Sequence, residues 1–283
     1  MNLNLPEKEK ISKKRMTLYI TIAIILVITI VIVVGVQVLG NDFIDGIFGI
    51  NKFTQKTEEQ EQILKNNFYN LFDNTLEDKS NYDVVKIDKQ KEIVYTKYEK
   101  KQKQENDYEI DISLPVINIK GKSVDNYNKK IENEVKEIEN ELLKSKGNNS
   151  VYNVKYKASI ENDIISLIIY SNIKQAGNAQ KTTISTFNYN LENNKELELK
   201  DIIKIYNLSS RNVQNKINDT IKNENKKVQK LKEIGYNILE REDNSGKYFI
   251  ENSSNFFIYN NNLYIIYAYG NEEQTTELDL VII

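Results

Sequence analysis

The chain of 283 residues has no cysteine, histidine or tryptophan, and its 39 Lys+Arg and 41 Asp+Glu nearly cancel to a net charge of −2. Disulfides, thiolate metal sites and thiol nucleophiles are thereby excluded, and the commonest general base and transition-metal ligand is missing. The balanced charge argues against a nucleic-acid partner, which normally selects a basic face.

In chain order, the first element is a membrane span. Thr17 to Leu39, "TLYITIAIILVITIVIVVGVQVL", runs 23 residues without a charge. As a helix it would be roughly 34 Å long, enough to cross a ~30 Å hydrocarbon core. Lys8, Lys10, Lys13, Lys14 and Arg15 precede it, while Asp42 and Asp45 follow. The basic side stays in the cytoplasm, so residues 1–16 form a cytoplasmic tail and the rest lies outside. A cleaved signal peptide is the competing reading; its apolar core would be shorter, and "VLGND" is a poor cleavage site. Phe43, Ile44, Ile47, Phe48, Ile50 and Phe53 then form an apolar stretch, suited to the membrane interface or to an edge of the exterior part.

Residues 40–100 are expected to hold a juxtamembrane stalk (Thr54–Lys65), a helix and a small hairpin. Ile63, Leu64, Phe68, Leu71, Phe72 and Leu76 make one apolar stripe over Glu58–Leu76. Two short strands, Asp83–Asp88 and Glu92–Lys97, would follow, joined by "DKQK". "KYEKKQKQEND" has no apolar period and reads as a solvated hairpin extension or linker.

The main domain is expected over residues 105–283. It begins with a strand in which Tyr108, Ile110, Ile112 and Leu114 alternate with polar residues, and Pro115 suggests an edge or a strand end. A helix capped at Ser123 places Val124, Tyr127, Ile131, Val135, Ile138 and Leu142 on one face, and Gly147 stops it. A meander follows over Val151–Ile160, Ile164–Ile173 and Thr182–Leu191, then a small helix capped by Asp201. Ser209 or Ser210 opens a second long helix with Val213, Ile217, Ile221, Val228 and Leu231 inward. Asn255–Tyr259, Leu263–Tyr269 and Thr276–Ile283 close the chain as strands. The fold class expected is α+β, two long helices on a largely antiparallel sheet, preceded by a single transmembrane helix.

Candidate ligand-contact residues are few. "QAGNAQ" sets Gln175, Gly177, Asn178 and Gln180 between two strands. Gly177 and Asn178 suffice for a turn, yet small residues also let a ligand approach the backbone. In "LYIIYAYG", Tyr264 lies on one strand face and Tyr267 and Tyr269 on the other. Such tyrosines can stack on sugars or simply pack. Glu272, Glu273, Glu277 and Asp279 could supply a carboxylate pair for glycan hydrolysis or could be a solvated turn; the EF-hand spacing for calcium is absent. No P-loop, Rossmann glycine pattern, H-E-x-x-H or G-x-S-x-G motif occurs, so no catalytic, metal or cofactor residue is assigned.

Three stretches in this order, "YEIDISLPVINIKGKSVDNYNKKIENEV", "YNLENNKELELKDII" and "FFIYNNNLYIIYAYGNEEQTTELDLVII", resemble the extracellular domain shared by RsiV-type anti-sigma factors and PdaC-type peptidoglycan deacetylases. The resemblance covers roughly residues 105–283 and is nearest to single-span clostridial members. It implies an extracytoplasmic α+β binding or sensing module on a Gram-positive-type cell, with peptidoglycan or an extracellular protein such as lysozyme as partner. The sequence departs from the family in two ways. The family's glycine-rich loop carries a histidine, whereas "QAGNAQ" has none, and neither a deacetylase domain nor a sigma-factor-binding tail is expected here. The functional expectation is therefore a membrane-anchored, non-catalytic envelope module. A carboxylate-based wall hydrolase is the alternative, and an accessory subunit pairing through its span, which lacks GxxxG, is a third reading.

Overall fold

The computed structural model describes residues 53, 56–80, 84–144, 146–175, 177–243, 245–269 and 277–283. The expected span at 17–39 and the apolar stretch at 43–50 lie outside the described residues, among which no helix is long and apolar enough to cross a membrane. Residues Phe53–Ile283 form one compact unit that is α+β and mostly antiparallel.

Two hydrogen-bonded sheets are present where one was expected. The large sheet has the order β2-β3-β4-β5-β6-β7, built from β2 (Val94–Gln104), β3 (Tyr108–Ile117), β4 (Ser150–Glu161), β5 (Ile164–Lys174), β6 (Lys181–Asn190) and β7 (Lys195–Glu196). A seventh strand, β1 (Leu76–Asp78), runs parallel to the far half of β4, pairing Leu76 with Ala158. The small sheet has the order β10-β9-β8, from β8 (Phe256–Tyr259), β9 (Asn262–Ala268) and β10 (Leu278–Ile282). Helices α1 (Glu58–Asn67), α2 (Lys122–Lys144), α3 (Leu199–Ile205) and α4 (Ser210–Glu233) complete the unit.

Period-two burial builds the large sheet. Tyr152, Val154, Tyr156, Ala158 and Ile160 of β4 face α2 and are all buried, as the alternation requires. Val124, Ile131, Val135 and Leu142 of α2 cover them. The connection through α2 makes β3 and β4 parallel over Tyr108–Ile112, since such strands need a crossover. Pro115 lies beyond that ladder and opposite Thr96, beside a bulge in β2, so its missing N–H breaks no pairing with β4.

Hairpins turn on asparagine. Asn162 and Asp163 (φ 50° and 58°) join β4 to β5, and Asn260 and Asn261 (φ 51° and 55°) join β8 to β9. Left-handed conformation at both central residues is the type I′ geometry that matches strand twist.

The small sheet meets the large one edge-on. β8 pairs with β9 on one side only, and its other edge lies on polar side chains of the large sheet. Phe256 N–H donates to Thr186 Oγ1 at 3.2 Å, and its carbonyl accepts from Asn188 Nδ2 at 2.9 Å. Ile258 N–H donates to Ser166 Oγ at 2.9 Å, and its carbonyl accepts from Ser159 Oγ. Glu161 accepts the N–H groups of Asn260 and Asn261 at 2.6 and 3.2 Å. Apolar clusters flank this polar seam. Ile164 joins α3, α4 and one face of the small sheet on one side, and Ile168 joins Phe68, Phe72 and the other face on the other.

Several expected boundaries are displaced. The first helix does not reach Leu76: α1 ends at Asn67, a 3-10 turn runs Phe68–Leu71, and Leu76 opens β1. Asp73 Oδ1 accepts from the Thr75 N–H and hydroxyl, and Asn74 is left-handed (φ 61°), so the chain is turned out of the helix there. No hairpin forms over the described part of 83–97; Lys86 makes an isolated bridge to Ile119, and the strand begins at Val94. The boundary at 105 falls in the turn between β2 and β3, which pair from Val94↔Ile117 to Gln104↔Tyr108. Glu139 of α2, buried, accepts from Tyr98 Oη at 2.9 Å and pairs with Lys100 at 2.5 Å, fastening β2 to the helix. Before and within the described part of the expected stalk, Phe53 stacks on Tyr206 at 4.3 Å, Lys56 Nζ donates to the Ile283 backbone oxygen at 2.9 Å, and Thr57 caps α1. Asp201 is not the cap of α3 but stands at its third position, accepting from the Glu198 N–H. Ser209 caps α4 as expected, yet Leu231, expected inward, is 38% exposed.

Candidate ligand-binding cleft

Where α2 crosses β5 and β6, the helix and sheet diverge and leave a cleft of about 730 Å³. One wall is the polar-edged face of α2, with Asn126, Tyr127, Lys130 and Glu134. The other is a run of hydroxyl-bearing residues on β6, Thr183, Ser185 and Thr186, with Ser171 of β5 beside them. Tyr152, Ile131, Val135 and Ile169 supply an apolar floor, and Glu196, Ser254 and Asn255 close one end.

The elements fix these side chains through packing. Tyr127 stacks on Phe187 with ring centroids 4.6 Å apart and shares a hydrogen bond with Ser185 Oγ at 3.3 Å. Burial pushes the pKa of Tyr127 and of Tyr152 above the ordinary phenol value, so both phenols stay protonated and can donate or accept. Lys130 and Glu134 are 3.8 Å apart on adjacent turns of the helix. Burial first, then the charge of Glu198, pushes the Glu196 carboxyl above its ordinary value. Glu196 forms no salt bridge among the described residues. The cleft therefore offers hydroxyls, amides, one aromatic face and an unneutralised acid at one end, a lining suited to orienting a polar ligand.

The residues expected to touch a ligand are not gathered there. Gln175, Gly177, Asn178 and Gln180 lie at the tip of the β5–β6 hairpin, outside the cleft lining. The Gln175 carbonyl accepts from the Asn178 N–H at 3.0 Å and Gly177 has φ +75°, which is a turn closed on a glycine. Tyr267 is buried, packs edge-on against Tyr248 and hydrogen-bonds Ser253 at 2.6 Å, so its ring belongs to the core. The face of β9 that carries it is covered by α3 and α4. Tyr269 lies against the Arg241 guanidinium at 4.2 Å and donates to the Leu239 carbonyl. Arg241 in turn grips Asp279 through two hydrogen bonds of 2.9 and 2.6 Å, and both side chains are buried. Both oxygens of Asp279 are thus committed. Glu272 and Glu273 lie outside the described residues. Among the described residues, no group of three or more acidic side chains could hold a metal ion.

Tyr127 entered the sequence reading only as part of the apolar stripe of α2. The overlooked signal was "KTTISTF", a strand in which four of seven side chains carry a hydroxyl. No protein-family model matches the chain, and no curated protein matches it.

Proposed function

We propose that the chain is a single-span membrane protein whose exterior unit is a non-catalytic binding or sensing module of the bacterial envelope, of the RsiV/PdaC ectodomain type. The observation that carries this reading is the cleft between α2 and β6, with its hydroxyl and amide walls around Tyr127. Such a lining suits a ligand rich in hydrogen-bonding groups, a wall glycan or a polypeptide. The uncharged run at 17–39 with basic residues before it supports the anchor. Against wall hydrolysis at Glu277 and Asp279 stands the commitment of Asp279 to Arg241, since an acid–base pair needs both carboxyls free to exchange protons.

The test is co-sedimentation of the full chain, in mild detergent, with isolated peptidoglycan sacculi at low and moderate salt, alongside a binding assay with lysozyme. Salt-resistant association that is lost in Tyr127→Ala, without release of muropeptides, is the expected result for one of the two partners. Released muropeptides would replace the reading with an enzymatic one. Indifference of the chain to both partners would remove it.

A further inference from the structure

The two outer strands of the large sheet are treated differently by the sequence. β2 carries Lys97, Glu99, Lys100, Lys101 and Lys103 along its length, and charge of this kind discourages another strand from adding. β6 carries "TTISTF" from Thr182 to Phe187 with no charge. Beyond β6, the partner β7 takes up only Tyr189 and Asn190. The Leu197 N–H bonds the Asn188 carbonyl, so even-numbered residues of β6 turn their backbone groups away from β5. By the strand's period of two, Ile184 and Thr186 present an N–H and a carbonyl outward, and among the described residues no strand pairs with them. This edge borders the cleft, whose opposite wall is α2.

Resting on the reading of the cleft as a binding site, we propose that its occupant is an extended polypeptide segment that adds to the open edge of β6 as a further strand, alongside the cleft, with a basic residue at the Glu196 end. Strand addition to an exposed edge draws affinity from main-chain hydrogen bonds and specificity from alternate side chains. The open run from Thr183 to Phe187 is about 17 Å long at ~3.4 Å per residue, which fits a segment of about five residues. Alternate side chains of the segment would enter the cleft toward Tyr127 and Lys130, and Glu196 supplies the charge that a lysine or arginine would meet.

The probe is a displayed library of random ten-residue peptides selected on the full chain in mild detergent. The strongest binder is then resynthesised with single backbone N-methyl groups along its length. Expected is a loss of tenfold or more at every second position and little change at the positions between, with weaker binding also for Glu196→Gln. Ile184→Pro, which removes an outward N–H that the fold does not use, should weaken binding as much. The N-methyl pattern carries the test even if that variant fails to fold. Uniform tolerance of N-methylation, or failure to select any peptide, overturns strand addition. Self-association of the chain that Ile184→Pro abolishes would overturn it as well, by making the occupant a second copy. If sacculi or lysozyme still bind in a Tyr127-dependent way, the cleft reading survives that outcome.

Discussion

Asn188 donates its side-chain amide to the Phe256 carbonyl at 2.9 Å while its own carbonyl oxygen accepts from Ser166 at 2.6 Å. The first bond crosses from the large sheet to β8, the second holds Asn188 in place within the large sheet, and Thr186, Ser166 and Ser159 add further bonds across the same seam. An edge strand buried without partners would leave its backbone groups unsatisfied, each at a cost of about 1–3 kcal/mol. Asn188→Ala should therefore lower unfolding stability by about 2–3 kcal/mol in a urea titration followed by circular dichroism. Asn193→Ala, at an exposed turn, should change it by less than about 0.5 kcal/mol. Equal effects would mean that the seam contributes nothing beyond packing.

Lys157 predicts an asymmetry. Its side chain is 3% exposed and its ammonium bonds Asp73, Thr75 and Glu77, whose carboxylates are 51% and 37% exposed. Removing the acids strands a buried charge, whereas removing the lysine leaves carboxylates that water can reach. Asp73→Asn combined with Glu77→Gln should cost about 3–5 kcal/mol, and Lys157→Met less than about 3. The reverse order in denaturant titrations at neutral pH would refute the account.

The same cluster sets an acid limit. Burial works against ionisation of Asp73 and Glu77, but hydrogen bonds from Thr75, Tyr259 and Lys157 outweigh it and hold both carboxyls below their ordinary values. A depressed carboxyl stabilises the fold above its unfolded value and loses that contribution as pH falls through the folded one. Stability of the wild type should therefore drop below about pH 4. Lys157→Met should show a shallower drop, measured as the change in urea midpoint with pH.

At high pH the tyrosines act in the opposite direction. Burial pushes Tyr264 and Tyr267, on opposite faces of β9, up to about 12. Unfolded tyrosine ionises near ~10, so between the two values the native state holds more protons and stability falls as pH rises. Tyrosinate absorbance from these residues should appear together with loss of circular dichroism. Their ionisation near 10 with the fold intact would contradict their burial.

Gly121 tests close packing. A Cβ there would lie 3.0 Å from Tyr189 Oη and 3.3 Å from Val124 Cγ2. Gly121→Ala should cost about 1–3 kcal/mol by overpacking. Adding Tyr189→Phe should recover part of the loss, because the nearest atom is gone. If the two costs simply add, the clash is not with the hydroxyl.

Helix stripes and strand alternation were legible because each is a local periodicity, and Val124 to Leu142 or Tyr152 to Ile160 fall where that periodicity puts them. The division into two sheets was not legible. Ser159, Ser166 and Asn188 alternate with apolar residues, and alternation alone reads them as facing water rather than the edge of β8. Glu139 is hidden for the same reason, since its partners on β2 are some forty residues away. Composition alone assigns the chain's many asparagines no role. Yet eight asparagines, among them Asn106, Asn149 and Asn194, take left-handed positions among the described residues, where glycine is the usual choice. The turn at "QAGNAQ" was written in Gly177, whereas the cleft depends on how far α2 lifts from β6, a distance no run of letters specifies.

The packing of α1 and its 3-10 turn against the end of the chain bears on synthesis. Phe68 and Phe72 share a cluster with Tyr264, Leu280 and Ile282, and Phe68 meets Tyr264 at 5.9 Å. On a ribosome the two phenylalanines emerge roughly two hundred residues before Leu280, a wait on the order of 10–40 s at ~5–20 residues per second. Until then their rings have no complete site to occupy. The unit thus cannot be finished from its beginning, and the earliest apolar residues of the domain remain clients for any holdase on the exit path until the last strand arrives.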